Sequence, residues 1–196
     1  MGEKSTQKKQ FILQTAKQLF SEKGYKDVTM KDIVDACEIS RGGLYLYFES
    51  TRDIFLEVLK METEDTDDIF TDSIREDSSI TDILGLFLKE QKKEILRRKN
   101  TLTIAIYEFF FENKVPKKEN TVRLTFDAAV RLLAELLETG TENGELYCAD
   151  PIAASRNIMF LLEGLKVSAH TMGVTEEIVD EQLLYIMAGL VVEDPE

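Results

Sequence analysis

A single histidine, His170, stands among 196 residues, and that scarcity removes several kinds of chemistry. A di-metal centre in a helical bundle of the ferritin type needs two Glu-x-x-His motifs, so it is excluded. The two cysteines, Cys37 and Cys148, form no ligand-spaced cluster, and both are expected reduced and packed as small apolar side chains. Neither a GxxxxGK[ST] phosphate loop nor a Gly-x-Ser-x-Gly elbow occurs. No apolar run is long enough to span a bilayer, and the opening MGEKSTQKKQ lacks the apolar stretch of a secretory signal. The sequence calls for no metal, no cofactor, no catalytic residue and no membrane, and the expected location is the cytoplasm.

Acidic residues are in excess, and the formal net charge of −13 argues at first against nucleic acid. The excess is unevenly spread. Residues 1–60 hold ten Lys/Arg and nine Asp/Glu, leaving fourteen basic and twenty-eight acidic residues for the rest of the chain. A neutral-to-basic first third on an acidic body suits a small DNA-binding module. Carboxylate pairs in so acidic a chain carry no catalytic weight.

The dominant period is helical. Ile12, Leu13, Ala16, Leu19 and Phe20 recur at three- and four-residue spacing, with Gly24 as a stop. Thr29 can cap a second helix carrying Ile33, Val34 and Cys37, Ser40 a short third, and Ser50 begins a fourth with Ile54, Phe55, Val58 and Leu59. The acidic stretch ETEDTDDIFTDSIRED reads as a solvated helical extension. Helical patterns follow over roughly 80–98, 101–112, 118–142, 150–172 and 175–192. Lys114-Val-Pro116-Lys-Lys breaks them once, Gly140 and Gly144 end the 118–142 segment, and Met172-Gly173 separates the last two. No strand pair, fixed repeat or Gly/Ser linker is visible. The expectation is an all-α chain of about nine helices, with a three-helix domain over 1–60 and a larger helical domain over 61–196.

The stretch ISRGGLYLYF, residues 39–48, has a local β-hairpin signature, since Gly42-Gly43 is a turn signal and the following residues favour strands. Its context overrides this. Three short helices with a tight turn between the second and third match a helix-turn-helix, over about residues 29–48. Such a motif leads its second helix into the major groove by its N-terminal residues. Ser40 then caps the recognition helix, Arg41 lies in its first turn, and the two glycines let the helix approach DNA closely. Tyr45 and Tyr47, two residues apart, lie about 200° apart around a helix, so both cannot face the core. Leu44 and Phe48 form the natural core pair. The tyrosine hydroxyls are then free to donate to phosphates, with half-buried packing as the alternative.

The run from Phe11 to Leu59, above all TMKDIVDACEISRGGLYLYFESTRDIFLEVL, resembles the DNA-binding domain of TetR-family transcriptional repressors. Thr29, Asp32-Ile33, Ile39-Ser40 and Gly42-x-Leu44-Tyr45-x-Tyr47-Phe48 fill the family pattern in order. The resemblance implies a DNA-facing start of the second helix at Thr29 and Lys31, a reading surface of Arg41, Gly42, Tyr45 and Leu46, and a phosphate contact from Tyr47. Three departures stand out. Glu38 occupies a turn position usually held by glycine, so the turn must avoid a positive φ or strain into it. Gly43 replaces a common threonine. Glu49 and Thr51 stand where lysines are frequent, so phosphate attraction at the fourth helix falls to Arg52 and the hydroxyls, with Lys4, Lys8 and Lys9 as a basic arm.

Beyond residue 60 the resemblance is looser and centres on GTENGELYCADPIAASRNIMFLLEGL, where Pro151 suits a helix start. It implies a homodimer through the last two helices, with Ile158, Leu161, Leu162, Leu165, Leu184, Met187 and Val191 as candidate interface positions. It also implies a double-stranded, palindromic operator and release by a small-molecule effector. Phe87, Tyr107, Phe110, Phe111, Phe126 and Met159 are candidates for a largely apolar effector cavity, with ordinary core packing as the alternative. Two other readings stay open at this stage: a helical signalling adaptor with a degenerate reading head, and a helical enzyme.

Overall fold

The computed structural model describes the backbone of residues 3–71 and 78–190, and the side chains of 4–62 and 78–190. Nine α-helices and no β-strand occur among the described residues: α1 (Glu3–Lys23), α2 (Met30–Ala36), α3 (Arg41–Tyr45), α4 (Thr51–Thr71), α5 (Ile80–Leu96), α6 (Thr103–Glu112), α7 (Thr121–Glu142), α8 (Pro151–Thr171) and α9 (Glu176–Ala188). The expected acidic extension is helical as far as Thr71; its remainder, 72–77, lies outside the described residues.

The contacts do not divide the chain at residue 60. One unit comprises Met1–Asp67 with Arg98–Thr121, and the other Asp68–Arg97 with Val122–Glu196. The difference is α6, which joins the first unit although it begins about fifty residues beyond α4's start, in a segment expected to belong to the second. Its apolar face supplies Ala105 and Phe109 to a core otherwise made of Ile12, Ala16, Phe20, Ile33, Leu44, Phe48, Ile54, Phe55 and Val58. Phe109 packs edge-on to Tyr25 at 4.9 Å, and Phe55 does the same to Phe20 at 4.8 Å. Such edge-to-face pairs add to the gain from burying large rings.

Local chemistry sets where these helices begin and end. Gly24, at φ +81°, closes α1. Thr29 and Asp32 make a reciprocal capping box at α2, Ser40 accepts from the Gly43 amide at α3, and Ser50 accepts from the Asp53 amide at α4. The turn between α2 and α3 strains into the left-handed region, with Glu38 at φ +52°. A side chain there costs about 1–2 kcal/mol, and Glu38 is exposed. Glu38→Gly is therefore expected to stabilise the first unit by about 0.5–1 kcal/mol after the entropic cost of glycine, as read from the urea midpoint.

The second unit packs α5 against α8 and α9. Its core draws Leu84, Leu88 and Ile95 from α5, Val130, Leu133 and Leu137 from α7, Ile158, Leu162, Leu165 and Ala169 from α8, and Val179, Leu183 and Ile186 from α9. Helix α8 begins at Pro151, as expected, and Asp150 caps it. Gly140 does not end α7. It lies inside the helix and buried, where a Cβ would come 2.7 Å from Ile80 Cγ2 and 2.8 Å from Leu146 Cδ1. Close packing explains that glycine, and Gly144 at φ +76° is the stop.

Candidate nucleic-acid interface

Recognition of a duplex needs cations that are not already neutralised, and α1 to α4 sort theirs into two groups. Lys9 pairs with Glu57 at 2.8 Å, Lys23 with Asp32 at 3.3 Å, Lys26 with Glu112 at 3.1 Å, Lys60 with Glu57 at 2.8 Å, and Lys17 with Glu62. Lys4, Lys8, Lys31, Arg41 and Arg52 form no ion pair among the described residues. The second group contains Lys31, Arg41 and Arg52, which the sequence placed on DNA-facing positions, and Lys4 and Lys8 of the basic arm; the arm's Lys9 is in the first.

The short helix α3 presents this surface. Its inner side buries Leu44 completely, and Phe48 follows at 4% exposure, so the expected core pair is in place. Turned the other way, Arg41 and Gly42 are exposed, Tyr45 is 54% exposed and Leu46 82%. An apolar side chain so bare at a helix end suits contact with a thymine methyl. Tyr47 is half-buried, and its hydroxyl accepts from Ser5 Oγ at 3.4 Å, leaving its own hydrogen to donate. Lys9 is held 5.6 Å from the centroid of the Phe48 ring as well as by Glu57. It is a packing residue of the arm more than a free charge.

The two glycines have different reasons. A Cβ on Gly43 would lie 3.1 Å from Ser40 Oγ, the cap oxygen, and 3.8 Å from Lys8 Nζ. That residue keeps the cap and lets Lys8 stand beside the N-terminus of α3. A Cβ on Gly42 would meet nothing within 4 Å. Gly42→Ala is therefore expected to stabilise the fold by up to about 1 kcal/mol through helix propensity, while weakening DNA binding if close approach is its use. Thermal melting and gel shifts on one preparation separate the two effects.

The start of α2 is equally constrained. Thr29 Oγ1 accepts from the Asp32 amide at 3.2 Å and bonds to Asp32 Oδ2, and the Thr29 amide donates to the same carboxylate at 2.9 Å. These bonds hold the Asp32 carboxyl down at about 2, the Thr29 hydroxyl contributing most. Thr29 is thus first a cap, and Lys31, exposed on the next turn, is the charge it positions. Thr51 and Arg52 open α4, both half-buried.

Glu108, a candidate partner for a cationic effector in the sequence alone, has a structural role that sequence reasoning missed. Its carboxylate accepts from the backbone amides of Tyr25 at 2.7 Å and Lys26 at 3.1 Å, fixing the α1–α2 turn from α6. The available signal was a glutamate one turn beyond Ala105 and beside Phe109, on the face of α6 that enters the core. The Tyr25 hydroxyl is raised above the ordinary tyrosine value by burial, against the opposing pull of its bond to Asn113.

The effector and dimer candidates fall elsewhere. Tyr107, Phe110 and Phe111 lie on α6 in the first unit, where Phe110 packs on its core and Phe111 is 85% exposed. Phe87, Phe126 and Met159 lie in the second unit, packed on or in its core. Neither unit by itself gathers the six into one site. Of the dimer candidates, Leu162 is fully buried by its own chain, Ile158 and Leu165 nearly so, and Leu161 and Met187 pack against the same core. Ile158, Leu162 and Leu165 are thus core positions of the single chain, Leu161 and Met187 are half-buried and keep part of their surface, Leu184 is 68% exposed, and Val191 lies outside the described residues.

Comparison with known proteins agrees with this geometry. Residues 12–58 match the family model for bacterial regulatory proteins of the tetR family, and residues 83–180 match that for the tetracyclin repressor-like C-terminal domain. The HTH-type regulator YfiR of Bacillus subtilis (strain 168) is 28% identical over 143 residues, covering 72% of this chain and 69% of that one. The HTH-type transcriptional regulator QacR of Staphylococcus aureus (strain Mu50 / ATCC 700699) is 26% identical over 171 residues, covering 85% and 88%. Among solved structures, a transcriptional regulator from Saccharomonospora viridis in complex with choline superposes with a TM-score of 0.81 at 19% identity, over 96% of this chain and all of that one. FadR from Bacillus subtilis in complex with stearoyl-CoA gives 0.72 at 17% identity, over 92% and 98%. No described helix is long and apolar enough to cross a membrane. With the helix-turn-helix, its unpaired cations and both family models in register, this chain belongs to the TetR family of DNA-binding transcriptional regulators and is not an enzyme.

Proposed function

We propose that the protein is a cytoplasmic repressor that binds a palindromic, double-stranded operator as a homodimer and is released by a small-molecule effector. The observation that carries the DNA part is the sorting of cations. Five basic residues of the head are neutralised within the fold, and five form no ion pair among the described residues: Arg41 on α3, Lys4 and Lys8 on α1, Lys31 on α2 and Arg52 on α4. Lys8, Lys31 and Arg52 position the duplex, with Thr51 and the Tyr45 and Tyr47 hydroxyls. Arg41 and Leu46 read bases in the major groove, and Gly42 and Gly43 permit the approach.

The dimer part rests on a second stripe of α8 and α9. Phe160 is 61% exposed, Val167 39%, Leu184 68% and Tyr185 68%. On α8 the stripe continues through Gly164, where an added Cβ would meet nothing within 4 Å. A self-complementary patch of this kind gives a two-fold pair, and two heads then enter successive major grooves about 34–36 Å apart.

An effector needs only to bind one spacing of the heads better than another. The solved relatives hold ligands as different as choline and stearoyl-CoA, so the family fold alone does not select a chemistry. A gel shift with the purified protein on its gene's flanking DNA tests the reading. Sequence-selective binding with a steep inverse dependence on salt is expected, and salt-insensitive or sequence-blind binding would overturn it.

A further inference from the structure

The break that the sequence shows at Lys114-Val-Pro116-Lys-Lys is a fixed, positively charged turn on the first unit, not a passive linker. Asn113 donates to the Phe109 carbonyl through both its amide, at 2.8 Å, and its side chain, at 3.0 Å. Val115 packs against the core of that unit, and the Glu119 amide closes a turn on the Pro116 carbonyl at 2.8 Å. Lys114, Lys117 and Lys118 are exposed and form no ion pair among the described residues.

This turn adjoins the edge of the DNA-facing surface. The Tyr25 ring packs 5.1 Å from Phe55 of α4 and 4.9 Å from Phe109 of α6, the helix that leads into the turn. Glu112 holds Lys26 at 3.1 Å, and Lys26 stands three residues before Thr29, the cap of α2. These contacts run from the α1–α2 turn just before Thr29, through Lys26 and Tyr25, to the end of α6 and the three lysines that follow it.

We propose that residues 113–118 form an outer phosphate clamp, in which Lys114, Lys117 and Lys118 hold the sugar-phosphate backbone of duplex flanking each operator half-site. This rests on the reading of α3 as the recognition helix. The clamp adds affinity without base selectivity, because contacts to phosphate carry no sequence information. It also offsets the missing lysines at positions 49 and 51. The strongly acidic body makes such a device useful, since a head with few free charges must overcome the repulsion of its own chain.

The test uses full-length protein and a site selected by that protein from a pool of random duplexes, prepared as a core duplex and with one helical turn added at each end. Wild type is expected to bind the longer duplex about tenfold more tightly. The triple variant Lys114→Gln, Lys117→Gln, Lys118→Gln should lose that gain, bind the core duplex as wild type does, and lower the salt slope on the longer duplex by about 2–3 per protomer. Glu112→Gln, which frees Lys26 and removes a nearby negative charge, should tighten binding to the longer duplex severalfold. A triple variant with unchanged length dependence and salt slope would overturn the clamp and leave the recognition helix standing. Equal loss on both duplexes would place the lysines inside the core footprint and overturn the flanking assignment. Wild type that selects no site would bring down the recognition-helix reading, and the clamp with it.

Discussion

Phe109→Ala should lower the stability of the first unit by about 3–5 kcal/mol. Phe109 is fully buried and touches three other rings: Tyr25 and Phe55 at 4.9 Å and Phe110 at 5.1 Å. Removing its ring leaves a cavity that α1 and α4 cannot close, because Phe20 and Phe55 are held edge to face at 4.8 Å. The magnitude matters for mechanism as well as for folding. A head that leans on α6 this strongly makes α6 part of the DNA reader, so a displacement of α6 would be felt at the α1–α2 turn held by Glu108. Urea unfolding of the variant measures the loss, and Phe111→Ala, two residues on and 85% exposed, should change it little. A loss below about 1 kcal/mol for Phe109→Ala would show that α6 only rests against the head.

Charging the exposed stripe of α9 is the second large effect. Leu184→Asp with Tyr185→Asp should convert the proposed dimer to monomers and weaken operator binding by a hundredfold or more, on the order of the loss when linked half-sites are uncoupled. Both side chains are 68% exposed in a single chain, so the substitutions disturb little within it. Leu162→Ala is the contrast. It empties a fully buried site and should cost about 2–5 kcal/mol of stability while leaving the folded protein dimeric. Sedimentation equilibrium separates the two outcomes, and a dimer that survives both aspartates would overturn the proposed interface.

These two predictions mark where sequence reasoning succeeded and where it stopped. Caps, stops and the helix-turn-helix were legible because their determinants are local: Thr29, Ser40, Ser50 and Gly24 each act within a few residues. Even the strain at Glu38 could be expected from the one side chain standing where glycine fits best. The place of α6 was not legible, because its apolar face suits the core of either unit and only tertiary packing decides. The same limit bears on the dimer candidates of α8. Helix α8 carries two apolar stripes, 158/162/165 and 160/164/167, and the sequence reading took its candidates from the first, together with Leu161. The fold uses that stripe for its own core and leaves Phe160, Gly164 and Val167 outside. Gly140 was misread for a related reason, since a glycine needed for close packing looks in sequence like a glycine that ends a helix.

The reading surface itself carries few charges, which makes its assignment unusually testable. Arg41 is the one cation on α3, so base choice rests on it and on the apolar contact of Leu46. The most direct measurement is the operator preference of Arg41→Ala, obtained by competing matched and single-base-substituted duplexes at fixed salt beside Tyr47→Phe. Arg41→Ala should lose about 1–3 kcal/mol of discrimination at one base position of each half-site, with Tyr47→Phe weakening all duplexes alike. Unchanged preference in Arg41→Ala would contradict the assignment of α3 as the element that reads the DNA.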